Sequence, residues 1–465
     1  MVSIAYGRYN IMKKLFFGDS VFYKNLFRIA APIALQNLIM SSLNFVDTVM
    51  VGQLGETNIA AVALANQLFF LIALFLFGVG SGASVFVAQF WGKKDVTNIR
   101  KVLGLSMSCS VVITFFATLV IMIFPEFVLS LFTKDTEVIR LGSSYLKIVC
   151  LCYIPTSITF SYASTLRSTG QTKLPMIASA VALSVNTVLN YILIFGKLGM
   201  PAMGVQGAAI ATVTARFAEV FLIIGAVYSL KLTPAASFRE LFAFSRSFAV
   251  KFFNIVIPVI MNEVLWSVGV TMYTVVYGRM GTDILASINI ASAVEGISFV
   301  LFKSMANACA VMVGNKIGEG DEKTAFTYSL RIAVLGPFLG IIVGLIVALS
   351  SGLLLSFYNV TPQVYENART VLKIFGLFMP IKIFNMTNIV GILRSGGDTK
   401  YSLFLDTTGV WFIAVPLAFV GGLVYHLPVY IVYILVNLEE IYKFSFGLKR
   451  FITKKWINNV IVQME

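Results

Sequence analysis

The chain has 465 residues, of which 58% are hydrophobic and only 12% charged, with a mean hydropathy of +0.88. Soluble domains sit nearer half apolar and a quarter charged, so this balance excludes an ordinary soluble protein and points to a lipid bilayer. The formal charge of +14 does not mark a nucleic-acid binder. Lys and Arg gather in alternate segments between apolar runs, the positive-inside pattern, and no nucleic-acid partner is expected.

In chain order, apolar runs and polar breaks predict twelve helices, each near or beyond the roughly 20 residues that span a bilayer. They cover 29–52, 58–88, 102–124, 142–165, 175–197 and 205–230, then 252–278, 284–314, 328–350, 370–393, 401–422 and 427–447. The leader 1–28 is basic and amphipathic and is expected on the cytoplasmic membrane surface. No cleavable signal is apparent, because the first apolar run is already of spanning length. The basic segments 93–101, 167–173, 231–251, 316–331, 394–400 and 443–455 fall on one side, which puts both termini in the cytoplasm. Cys109, Cys150, Cys152 and Cys309 lie in apolar runs without metal-ligand spacing, with only His426 to join them, and read as small buried hydrophobes.

The second half repeats the first. The stretch from Pro32 to Gly55 aligns with Pro258 to Gly281 at a constant offset of 226, matching Ser41 with Ser267, Thr48 with Thr274, and Gly52 and Gly55 with Gly278 and Gly281. The acids do not coincide: Asp47 faces Tyr273, and Glu263 faces Asn37. Further on, Gly92 meets Gly318. After one inserted residue LRSTGQTK (Leu166–Lys173) meets LRSGGDTK (Leu393–Lys400). Both octapeptides follow the fourth helix of their half, so the halves share one orientation, the parallel-repeat architecture of many transporters. The expected organisation is a leader (1–28), a six-helix bundle (29–230), a basic linker (231–251), a second six-helix bundle (252–447) and a cytoplasmic tail (448–465).

The motifs FVDTVMVGQLG (45–55), AAVALANQ (60–67), VAQFWGKKD (87–95), LRSTGQTK, GVQGAAIAT (204–212) and LRSGGDTK resemble those of the MATE family, the multidrug and toxic compound extrusion transporters, in the NorM-like and DinF-like bacterial branches. The resemblance covers nearly the whole chain in order. It implies an all-α polytopic membrane protein with twelve helices in two six-helix bundles forming a V-shaped cleft. It also implies export of amphipathic, often cationic compounds by antiport with H⁺ or Na⁺. No enzymatic activity and no cofactor beyond that coupling ion are expected. The setting would be the bacterial inner membrane, and the chain a monomer.

A charge near the bilayer centre costs about 2.5–3.5 kcal/mol even on lenient scales, so each ionisable group inside a helix is a functional candidate. These groups are Asp47, Arg216, Glu263, Glu295, Lys303, Lys382 and Asp406. The resemblance makes Asp47 the coupling carboxylate of the first bundle, with Asn186 and Asn190 one turn apart on the fifth helix and Thr212 on the sixth. These four are the expected H⁺ or Na⁺ site. Asn190 stands where the family often has an acid; an amide oxygen can ligate Na⁺ but takes no proton, which leaves Asp47 to titrate alone. Glu263, near the middle of the seventh helix, matches a NorM-like acid and is a second coupling candidate. A structural ion pair is its plainer reading. Glu295 is expected to pair with Lys303 or Lys382, and Asp406 to lie near the interface. Asn37, Glu263, Trp266, Glu295, Lys382 and Asn385 are candidate substrate-cleft residues, and Phe69, Met261 and Phe384 candidate apolar lining. Pro155 and Pro258 are expected to kink their helices, and the small residues of 204–212 to let helices pack closely. The nearest alternative is a lipid or lipid-linked saccharide flippase of the same superfamily. An enzyme would need a His cluster, paired metal acids or a nucleophile set, and none appears.

Overall fold

The computed structural model describes residues 19–462, the side chain of Asn44 excepted, so the leader up to residue 18 and the last three residues lie outside the described residues. All twelve predicted helices are present. They are α1 Ser20–Gly52, α2 Glu56–Gly92, α3 Val96–Ile123, α4 Thr136–Ser168, α5 Lys173–Phe195 and α6 Gly204–Ser229. The second half supplies α7 Arg246–Met280, α8 Thr282–Gly318, α9 Glu322–Leu355, α10 Pro362–Leu393, α11 Thr399–Val424 and α12 Val429–Ile452. Among the described residues the first eleven are long and apolar enough to cross a membrane. The twelfth is diluted by Glu439, Glu440, Lys443, Lys449 and Arg450.

Several helices begin earlier than their apolar runs, because polar caps start them. Asp95 accepts the amide of Asn98 at 3.0 Å and opens α3, Asp135 opens α4, and Asp321 accepts from Thr324 at 3.1 Å to open α9. Each cap gives an otherwise orphaned first-turn N–H a partner. Asp95 and Asp321 are repeat mates at offset 226. The octapeptide turns repeat as well: Gly170 (φ 79°) and Gly397 (φ 73°) take the left-handed conformation that glycine adopts without strain. Their amides close onto Arg167 O at 3.0 Å and Arg394 O at 2.8 Å.

Proline shapes α4 as expected. Pro155 has no N–H for the carbonyl of Leu151, and the chain there tightens into a 3₁₀ turn over Cys150–Cys152. Thr118 Oγ1 donates to the Cys150 carbonyl in that turn at 3.1 Å. Pro32, Pro258, Pro337 and Pro380 also lie inside helices. π-helical segments occupy Thr387–Leu393, Val410–Ala414 and Val420–Val424.

The chain folds as two compact units. Among the described residues, one is Ala31–Val256; the other is 257–462 together with 19–30. The basic linker, set apart in the sequence reading, packs within the first unit. Its short helix Phe238–Leu241 is capped by Ser237, and Arg100 pairs with Glu240 at 2.6 Å. The first turns of α7 join the same unit, with Phe252 stacked on Phe86 and Phe248 on Phe90. The apolar core of that unit is built around Val51, Leu76, Leu146, Tyr153, Ile194 and Ala209. Its small-residue run does pack closely: a Cβ on Gly207 would lie 2.6 Å from the Leu193 carbonyl oxygen.

In the other unit the start of α1 is fixed by Asp19, which pairs with Arg331 at 2.6 Å, and by Phe22, whose ring lies 5.1 Å from that guanidinium. Gly344 on α9 and Gly376 on α10 meet backbone to backbone. Described residues of the predicted tail pack within this unit. Trp456 is fully buried, and the Asn458 amide bonds to Gly396 O at 3.1 Å in the octapeptide turn. Cys150, Cys152 and Cys309 are buried free thiols and Cys109 is half-buried.

Candidate functional site

The four residues predicted for the first bundle are brought together. Half-buried Asp47 on α1 accepts a hydrogen bond from Asn190 Nδ2. The same amide group donates to Asn186 Oδ1 at 3.0 Å, and Asn186 Nδ2 donates to Thr212 Oγ1 on α6 at 3.3 Å. Four residues separate the two asparagines on α5, so their side chains stack one turn apart on one face. Both are fully buried. Asn190 Oδ1 has no partner, although an unmet buried acceptor costs about 1–3 kcal/mol. A half-turn of that amide would set an oxygen toward Asp47. The set then offers carboxylate, amide and hydroxyl oxygens, the hard donors that suit Na⁺, while Asp47 alone suits H⁺.

A second buried chain in this unit holds its cations. Arg216 and Glu219, three apart on α6, pair at 2.8 Å with both side chains at most 7% exposed. Ser179 donates to Glu219 Oε1 at 2.7 Å, Gln36 Nε2 donates to Ser179 at 3.0 Å, and Arg167 donates to Gln36 Oε1 at 3.3 Å. Glu219 was missed by the sequence reading. The signal was there: an acid three residues after a lone Arg in an apolar helix faces the same way. Because Glu219 binds Arg216, Asp47 keeps no directly paired cation.

The C-terminal unit revises several expectations. Glu263 pairs with Arg394 at 2.8 Å, the Arg side chain 2% exposed, so the plainer ion-pair reading describes its contacts. Arg394, read from sequence as the start of the basic segment 394–400, is buried just after α10. Glu295 accepts a hydrogen bond from Tyr433 rather than forming an ion pair with Lys303, which is exposed. Lys382 lies half-buried with its ammonium 5.9 Å over the Phe375 ring. Asp406 is ion-paired. Its side chain is 13% exposed and meets Lys443 at 2.6 Å, and Asn262 donates to its other oxygen at 2.8 Å. Lys443 also approaches Glu439 at 3.1 Å.

Glu439 and Glu440 lie inside the predicted helix 427–447 but were not singled out, and Lys443 was counted with the basic segment 443–455. The i, i+4 spacing of Glu439 and Lys443 was the available clue. Among the expected cleft residues, Asn385 is buried inside the unit and donates to Glu440 Oε2 at 2.7 Å. Trp266 is 38% exposed and Met261 is exposed. Asn37 is half-buried on α1. Phe384 is buried edge-on against Phe444, and half-buried Phe69 packs on Tyr153.

Long apolar helices in two repeat-related units, each enclosing a few embedded carboxylates and amides, define a multi-pass membrane protein of transporter type. The sequence profile of the MatE family matches residues 32–192 and again 258–420, once per half, and the chain belongs to that family as a NorM-like transporter. It is 25% identical over 474 residues to the probable multidrug resistance protein NorM of Thermotoga maritima, covering 98% of both chains. It is 27% identical to the like-named protein of Photorhabdus laumondii, covering 86% of this chain and 88% of that one. Among solved structures, the MATE transporter VcmN of Vibrio cholerae in its bent form aligns with TM-score 0.84 at 17% identity, over 96% and 98% of the two chains. A Pyrococcus furiosus transporter of the MOP superfamily aligns with TM-score 0.83 at 19% identity, over 97% and 98%.

Proposed function

We propose that the protein is a secondary active antiporter that exports amphipathic, mostly cationic compounds in exchange for H⁺ or Na⁺ by alternating access. The observation that carries this reading is the Asp47–Asn190–Asn186–Thr212 chain, in which an embedded carboxylate without a directly paired cation adjoins a buried amide oxygen without a partner. The relatives named as probable multidrug resistance proteins support the class of cargo. The setting is the bacterial inner membrane, with both termini in the cytoplasm, and the working form is a monomer.

Loading Asp47 with H⁺ or Na⁺ cancels its charge and removes the reason for a cationic substrate to stay. Export follows only because ion and substrate bind the two exposure states with different affinities. The test is ethidium efflux from proteoliposomes with pH and Na⁺ gradients imposed separately. We expect efflux under at least one gradient, and reduction to background in Asp47→Asn. Drive by the pH gradient alone would assign the ion as H⁺, and a Na⁺ requirement would assign the four-residue site to Na⁺. Absence of ethidium movement under both gradients, or an unimpaired Asp47→Asn, would overturn the reading.

A further inference from the structure

The internal repeat gives the C-terminal unit a constellation that corresponds to the Asp47 site. At offset 226 Asp47 corresponds to Tyr273 on α7, and at the offset of 227 that relates the octapeptides Thr212 corresponds to Glu439 on α12. The acid and the hydroxyl have exchanged helices. Tyr273 and Glu439 interact electrostatically within the C-terminal unit.

The charges there do not balance. Lys443 is the ammonium between two carboxylates, and its side chain, Asp406 and Glu439 are 4%, 13% and 7% exposed. The two acids are held unequally. Asp406 has both oxygens engaged, one by Lys443 at 2.6 Å and one by the Asn262 amide at 2.8 Å. Glu439 Oε2 meets Lys443 only at 3.1 Å and without hydrogen-bond geometry. The remaining groups that face Glu439 add no cation. Tyr273 and Tyr277 come from α7 and Glu295, bound by Tyr433, from α8. Glu440 on α12 is held by Asn385 of α10, and Lys382 of α10 acts on Glu295. Arg394 is committed to Glu263. A buried carboxylate whose one cation is shared with a second, better-held acid keeps a desolvation penalty that a proton removes.

We propose that Glu439 is an exchangeable proton site of the C-terminal unit, the repeat counterpart of the Asp47 site with the acid moved from the first helix of the half to the sixth. When Glu439 is protonated, Lys443 belongs to Asp406 alone. When the proton leaves, the ammonium is shared. The inference rests on the charge balance within this unit and holds whichever ion Asp47 binds.

Infrared difference spectra of the purified full-length protein, taken from acidic to alkaline pH, test it. The wild type should show a carboxylic-acid C=O band that disappears as the pH rises. Glu439→Gln, an isostere that leaves the Lys443–Asp406 pair in place, should lose one component of that band, and Asp47→Asn should retain that component. Lys443→Gln should increase the acid band at neutral pH, because two carboxylates would then lack a cation. If that variant does not fold, the Glu439→Gln spectrum alone decides. An unchanged acid band in Glu439→Gln, or loss of the same component in Asp47→Asn, would overturn the proposal. In proteoliposomes Glu439→Gln should lower the protons exchanged per ethidium by one; an unchanged ratio would count against it. Failure of the antiporter reading would show separately, as undiminished efflux in Asp47→Asn.

Discussion

The two units solve one packing problem with different charges. In the N-terminal unit an amide on the first helix of the half, Gln36, bonds a hydroxyl on the fifth, Ser179, and the cation on the sixth, Arg216, is met by Glu219. At the repeat-related positions of the C-terminal unit stand Asn262, Asp406 and Lys443, and Asn262 again bonds its fifth-helix partner. Replacing Ser179 by its counterpart Asp406 turns a neutral relay into a direct ion pair. The compensating acid also moves, from three residues after the cation in α6 to four residues before it in α12. Duplication thus keeps the scaffold of polar positions while charge migrates among them. The lesson is that an acid found in one half need not have its partner at the matching residue of the other.

The largest effect that would break this comparison is loss of the central cation. Lys443→Met leaves Asp406 and Glu439 uncompensated and Arg216→Met leaves Glu219 so, and breaking a buried pair in this way costs about 3–5 kcal/mol. We expect both variants to lower the thermal midpoint in detergent strongly, Lys443→Met more, because it orphans two acids. Equal losses would mean that Glu439 already carries its proton.

A packing change should cost less. Gly344→Val drives a side chain into the Gly376 backbone of α10, and overpacking of this kind typically costs about 1–3 kcal/mol. The expected result is a lower midpoint with the polar groups of both units intact, which separates packing from charge effects. A midpoint equal to wild type would show that α9 and α10 separate easily.

The smallest effect is at Asp19, outside the spanning segments. The hydrogen bond from Arg331 holds its carboxyl below the ordinary value of 3.8. A folded value below the unfolded one means that its stabilisation is full above the unfolded value and is lost as pH falls through the folded one. Asp19 is 30% exposed, so the contribution is at most about 1 kcal/mol. Asp19→Asn should lower the midpoint slightly at neutral pH and converge with wild type in acid. A constant difference down to the most acidic stable pH would remove the ion pair from the account.

Membrane insertion, the number of helices and the duplication follow from the amino-acid sequence, because each rests on local pattern: run length against bilayer thickness and a constant offset. The grouping of Asp47, Asn186, Asn190 and Thr212 came from the resemblance to the MATE family. The helix caps at Asp95, Asp135 and Asp321 were legible too, once polar first turns are counted as helix. The partners of the buried charges were decided only by the tertiary structure. Arg394 and Lys443 sit at the ends of apolar runs, where hydropathy assigns them to water. They are buried because helices distant in sequence present Glu263 and Asp406 to them, and a charge in low dielectric goes where its counter-charge is.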